Sequence, residues 1–326
     1  MSLMRPCGLV ALGLAVAAGW TCPFGPADAA EGDKRLALVI GNSAYQNIMR
    51  LTNPVNDAAD VAEKLKNLKF EVLLATDATQ AKMTSLLREF NSKLTREHVA
   101  LFFYAGHGIT VNKESFLLPV DVPGVIEADA NGELRPEAVT GQLLSMASVL
   151  SPLEASRIGI VFLDACRTNA AVPGVGLSLR VASLGSSRTV PLLRGTGSLD
   201  IKPSQYSAGV FRAYATQLDN VASDGTGRNS PFTKALLKHI GTKGLSIQEL
   251  MIRVRKSVME DTKNGQVPWE EAALNESFFF VPSATPSSTP SPSQKSGDRS
   301  GDRKPGGRPA NTNLPPNLGV GIGTGM

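Results

Sequence analysis

Cysteine and histidine are both scarce in this 326-residue chain, with three of each. Cys7 and Cys22 fall in an N-terminal leader, where Arg5 precedes an apolar run from Gly8 to Trp20 and Ala27-Asp28-Ala29 offers the small residues a signal peptidase prefers. Residues 1–29 are therefore expected to be a signal peptide, and the mature chain to be exported into a bacterial periplasm or secreted. The run of about 13 apolar residues is too short for the roughly 20 that span a bilayer, so no stable membrane anchor is expected. After leader removal only Cys166 remains. An exported chain with one cysteine makes no internal disulfide, so Cys166 is either a small buried filler or a reactive thiol.

An excess of basic charge is also missing from the middle of the chain. The formal net charge is +4, but most of it belongs to residues 282–326, where Lys295, Arg299, Arg303, Lys304 and Arg308 outweigh Asp298 and Asp302. That segment is Pro, Ser and Gly with few large apolar side chains, the composition of a disordered tail. A nucleic-acid-binding surface is unsupported. Gly41-Asn42-Ser43 lacks the glycine spacing of a phosphate-binding loop, and no repeat is present. Fibres, coiled coils and polytopic membrane proteins are excluded by 42% apolar and 19% charged residues.

The middle, residues 30–281, is long enough for one well-buried core. Short apolar runs alternate with helix-period segments, the pattern of a mostly parallel sheet covered by helices on both faces. Expected strands are Leu36–Ile40, Phe70–Ala75, Val99–Tyr104, Ile158–Leu163, Val210–Thr216 and Ser277–Val281. Asn53-Pro54, Thr79 and Ser230-Pro231 read as helix starts. Thr140–Leu150 is expected to be helical, and Ser246 with Glu249 has capping-box spacing. Residues 170–207, rich in Gly, Ser and Arg, read as a long mobile loop of the kind that is usually functional.

Two strand ends carry chemistry-bearing residues. His107 sits between glycines just past the third strand, and Cys166 just past the fourth. Ligands of open α/β sheets bind beyond the carboxyl ends of the strands. Adjacent strands lie roughly 4.8 Å apart, so neighbouring third and fourth strands would bring an imidazole and a thiol together. That is the minimal layout for a nucleophile and its acid/base partner.

Tyr104-Ala105-Gly106-His107-Gly108 with Asp164-Ala165-Cys166-Arg167 resembles the caspase-like cysteine peptidases of peptidase family C14, in their bacterial metacaspase-like or orthocaspase branch. The likeness extends to Leu36–Tyr45, Asn56-Asp57, Leu117–Asp121 and Ala222–Thr233. It implies a caspase-like three-layer αβα sandwich with a mostly parallel six-stranded sheet. It assigns Cys166 as nucleophile and His107 as general acid/base, with the N–H groups of Gly108 and Cys166 as oxyanion hole. A glycine at 108 lets the backbone approach the developing charge. No third triad member is legible.

The resemblance also places two carboxylates, Asp57 and Asp164, in the pocket for the substrate residue before the scissile bond (P1). Protein or peptide substrates with Arg or Lys at P1 follow, with Arg gaining bidentate hydrogen bonds. Asp57 equally suits the first turn of a helix, and Asp164 a strand-end turn. Asp224–Arg228 is expected at the rim of the cleft. Many metacaspases need calcium, and Asp121 matches one family ligand, but the acidic pair expected further on is replaced by Glu127-Ala128-Asp129-Ala130, well short of the six to eight oxygens calcium takes. No cofactor is required by the sequence. Arg180, Arg188 and Arg194 are candidate self-cleavage sites. The alternatives are a non-catalytic caspase-like interaction module of the cell envelope and, less favoured without a resolving cysteine, a redox-sensing thiol.

Overall fold

The computed structural model describes residues 33–111, 114–128, 139, 141–165, 178–183, 186–191, 209–217 and 222–283. The leader, Cys166, Arg194 and residues 284–326 lie outside them. In chain order the elements begin with β1 (Arg35–Gly41), α1 (Pro54–Asn67), β2 (Glu71–Thr76), α2 (Gln80–Lys93) and β3 (Val99–Ala105). Then come β4 (Gly108–Val111), β5 (Glu114–Leu117), β6 (Val125–Ala128), β7 (Leu144–Ser145), α3 (Met146–Glu154) and β8 (Ile158–Asp164). The remainder are β9 (Ser178–Ser183), β10 (Ser186–Pro191), β11 (Val210–Tyr214), α4 (Pro231–His239), α5 (Ile247–Asp261) and β12 (Trp269–Ala272).

Six strands form one sheet in the order β12-β11-β8-β3-β1-β2, parallel except for β12. Its central strands are buried on both faces, which is why they read as unbroken apolar runs. Alternation divides them between two cores. Ala37, Val39, Leu101, Phe103, Ile160 and Phe162 face α1, α4 and α5, while Leu38, Ile40, Phe102, Tyr104, Val161 and Leu163 face α2 and α3. The result is the expected αβα sandwich. A third cluster, including Tyr45, Phe116, Leu118 and Val122, packs separately from both.

Helix starts follow local chemistry. Thr79, Ser145 and Ser230 each accept a hydrogen bond from a first-turn backbone N–H, and Ser246 and Glu249 form the reciprocal capping box. Asn53 is the exception, because its side chain makes no cap bond to α1. It turns instead toward Asp224, donating from its amide to the backbone carbonyl there.

Three expectations are corrected. The sixth strand is Trp269–Ala272, not Ser277–Val281. Phe278 and Phe280 do alternate inward, but they bury against the α1/α4/α5 core, and the segment meets Ser246 through a single bridge at Phe279. The guanidinium of Arg35 holds it there, donating to the carbonyls of Leu68 and Phe280 and lying over the rings of Phe70 and Phe278. The helix expected over Thr140–Leu150 begins only at Met146, where Ser145 caps it, and its buried stripe runs through Val149 and Leu150 to Leu153. Residues 170–207 are not loop throughout. There β9 and β10 pair antiparallel, and β9 pairs in parallel with β6, strands too short and too rich in Ser and Arg to announce themselves as apolar runs.

Candidate active site

β3 and β8 are direct neighbours, with Ala105 opposite Asp164 at their carboxyl ends. The N–H of Gly106 donates to the carbonyl of Asp164 at 3.2 Å, joining the two strand ends. Past that junction lies a small, half-open cleft. His107, Asp57, Asp164, Asp224, Ser230 and Ala165 line it. Ala165 is the last described residue before Cys166, which itself lies outside the described set.

His107 is 6% exposed. Its Nε2 sits 2.9 Å from the carbonyl oxygen of Met49, and a carbonyl only accepts, so the ring proton resides on Nε2 and Nδ1 is the free base. Burial lowers the imidazole pKa, while the Met49 carbonyl and the charge of Asp224 act in the opposite direction. The orienting partner missing from the sequence reading is thus a backbone carbonyl, a group for which no residue type signals.

The carboxylates converge from three parts of the chain. Asp57 stands in the first turn of α1 and Asp164 ends β8, and both are buried. Ser230, the N-cap of α4, lies between them. Its N–H donates to Asp57 Oδ1 at 3.1 Å, its hydroxyl donates to Asp164 Oδ2, and its Oγ accepts from Thr233 N–H at 2.9 Å. Thr233 Oγ1 adds a 2.8 Å bond to Asp164 Oδ2. Burial, reinforced by the neighbouring Asp164, pushes the Asp57 carboxyl up to about 8. Asp164 is raised to about 6, again chiefly by burial, with the hydroxyls of Ser230 and Thr233 working against it. Such close carboxyls titrate as a pair.

Asp224 is the third carboxylate, expected only as part of the rim. Its oxygens accept from Thr52 N–H at 2.6 Å and Asn53 N–H at 3.1 Å, pinning the start of α1 to the 222–230 segment. Arg228 strengthens the same junction with two bonds to Asp60, at 2.9 and 2.7 Å. The positioning donors Ser230 and Thr233 were visible in the sequence only as a helix start.

Other sequence candidates lie elsewhere. Gly108 opens β4 next to His107, paired with Leu117. Asp121 Oδ1 accepts from Gln80 N–H at 2.8 Å and so helps to cap α2. Among the described residues no cluster of three His, Cys, Asp or Glu side chains is arranged to hold a metal ion, and no helix is long and apolar enough to cross a membrane. Arg180 and Arg188 lie in the β9/β10 ladder, opposite Thr189 and Val181. Asn42, in the discounted glycine-containing turn, is buried and structural, its amide bridging Ala78 N–H and the Leu118 carbonyl.

Comparison with known proteins gives the same picture. A family model described as Peptidase_C14, caspase domain, matches residues 34–279. Mucosa-associated lymphoid tissue lymphoma translocation protein 1 of Homo sapiens is 28% identical over 135 residues, which is 41% of this chain and 15% of that protein. Its Mus musculus homolog matches with the same identity and coverage. The shared region is therefore a small part of those relatives.

Proposed function

The chain belongs to the caspase-domain family, Peptidase C14, and from that premise we propose that it is an exported cysteine endopeptidase that cleaves after Arg or Lys. One observation carries this reading: a buried imidazole with its Nε2 already engaged shares a small cleft with three carboxylates, next to the residue preceding Cys166. Two buried acids flanking Ser230 form a site for a cation, and the planar guanidinium of Arg can bond both at once.

In the mechanism that follows, the Cys166 thiol passes its proton to His107 Nδ1 and the sulfur attacks the scissile carbonyl carbon. Charge develops on the carbonyl oxygen, where the N–H groups of Gly108 and Cys166 are the proposed donors, each worth on the order of 3 to 4 kcal/mol in other enzymes. The C–N bond breaks as the imidazolium gives its proton to the leaving amine. Water then adds to the thioester, passing a proton to His107, and the C–S bond breaks to release the acid and restore the thiol. Lowered basicity suits His107 to this cycle, since it stays neutral and ready to accept near pH 7.

A P1 scan on protein starting near residue 30, with and without chelator, tests specificity and calcium dependence together. Cleavage after Arg that disappears in Cys166→Ala is expected. Preference for Asp at P1, or activity surviving Cys166→Ala, would sink the proposal. Failure of a thiol-reactive peptide to label Cys166 in folded protein would favour the interaction module. Self-processing is read by intact mass against Cys166→Ala. Cleavage at Arg180 or Arg188 requires the β9/β10 ladder to open first.

A further inference from the structure

Two tyrosines that take no part in the proposed chemistry surround the peptide unit of His107. The N–H of His107 donates to the Tyr45 hydroxyl at 2.7 Å. The Tyr45 and Tyr104 hydroxyls are 3.3 Å apart, and the Tyr104 hydroxyl donates to the His107 carbonyl at 2.7 Å. Hydrogen bonds thus leave His107 at its N–H, pass through two phenols and return to its own carbonyl. Both hydroxyls also reach the Leu118 carbonyl, at 3.3 and 3.0 Å, while Leu118 N–H donates to the His107 carbonyl at 3.0 Å.

The closure is buried and locally prepared. Tyr45 is 1% and Tyr104 0% exposed, so the bonds are shielded from competing water and polarise one another. Burial holds the Tyr104 hydroxyl well above its ordinary pKa, keeping it a donor at every working pH. Gly106, at φ +151°, lets the chain double back between Tyr104 and His107. A Cβ there would stand 2.6 Å from the Tyr104 hydroxyl and 2.7 Å from that of Tyr45, so a glycine keeps the space the two phenols occupy. The Tyr45 ring also packs on the imidazole, with centroids 4.7 Å apart.

We propose that Tyr45 and Tyr104 are positioning residues for the general base, fixing the His107 peptide so that Nε2 meets the Met49 carbonyl and Nδ1 is left as the base. The inference rests on the Cys166/His107 reading and adds to it the residues that aim the imidazole. Misplacement of a reacting group by about 1 Å can cost roughly a hundredfold in rate. Tyr45 matters more, because without its hydroxyl the buried His107 N–H loses its acceptor, whereas the His107 carbonyl keeps Leu118 N–H if Tyr104 is changed.

The experiment compares Tyr45→Phe, Tyr104→Phe, His107→Ala and wild type. Each is checked for fold by circular dichroism and thermal midpoint, then measured for kcat and KM on an Arg-P1 peptide and for the pH profile of Cys166 alkylation by iodoacetamide. Tyr45→Phe is expected to lose roughly ten- to hundredfold in kcat with KM within about twofold, and to move the alkylation profile toward that of His107→Ala. Tyr104→Phe should move both readouts the same way by less, and carries the test alone if Tyr45→Phe does not fold. A profile unmoved in folded tyrosine variants overturns the proposal, whether kcat is retained or falls only in step with stability. An unchanged profile in His107→Ala refutes the dyad itself, a separate failure from one confined to the tyrosines.

Discussion

Placing an arginine side chain between Asp57 and Asp164 should expel a proton. With its carboxyl raised to about 8, Asp57 is mostly neutral in the free cleft at pH 7, while a guanidinium favours the ionised acid. Affinity for the basic side chain therefore rises with pH. Below about pH 8 each unit of acidification costs about 1.36 kcal/mol per displaced proton, or tenfold in Kd, so the interval from pH 8 to pH 6 weakens binding by up to about a hundredfold. Below about pH 6 Asp164 also protonates, and the dependence steepens. The assay is calorimetric binding of an Arg-containing peptide to Cys166→Ala protein, which removes thiol titration and turnover. Repeating it in two buffers of different ionisation enthalpy counts the protons released. Flat affinity between pH 6 and 8 with no proton released would refute the reasoning, as would affinity that falls with pH. No binding at any pH would instead refute the cation-pocket assignment.

Asp57→Asn should raise the thermal midpoint at pH 8 and change it little at pH 4. A carboxyl whose pKa is higher folded than unfolded stabilises below its unfolded value, and that contribution is lost as pH rises through about 8. Thermal scans at the two pH values check it, and a midpoint unchanged or lowered at pH 8 would contradict the burial argument. Ser230→Ala removes the cap of α4 and the hydroxyl donor to Asp164, and should cost about 1 kcal/mol of stability and raise KM for Arg peptides more than it lowers kcat. Ser230→Thr should restore most of both in the same denaturation and kinetic measurements. Arg35→Ala unties the Phe278–Phe280 segment from β1 and should destabilise by about 2 to 3 kcal/mol through lost charged hydrogen bonds and packing, read as a lower urea midpoint with unchanged KM.

Legibility in the sequence followed the range of the interactions. Strands such as Val99–Ala105 and Ile158–Asp164 are buried on both faces, so their apolar runs stand out without knowledge of their partners. The caps at Thr79, Ser230 and Ser246 are local, involving residues three positions apart, and are equally readable. The β12 strand, Trp-Glu-Glu-Ala, is a part-exposed edge whose place is set by pairing with β11; nothing in its composition says so. His107 could be named because it stands between glycines at a strand end, whereas Asp57 and Asp164 could be named only through the family resemblance. Asp224 was legible only as part of the rim and the Met49 carbonyl not at all, because their roles exist only once the turn before α1 is folded against the 222–230 segment and against His107.

The Arg35 clamp has a topological consequence. By donating from its guanidinium to the carbonyl of Phe280 at 2.9 Å, Arg35 ties the last described segment to the side of the sheet on which β1 begins. That side is the amino edge of the parallel strands, whereas His107 and Asp164 stand at the carboxyl edge. Domains with adjacent ends tolerate being joined there and reopened elsewhere. Joining residues 33 and 283 and cutting new ends at the Lys263–Asn264 turn is therefore expected to leave the residues that line the cleft untouched.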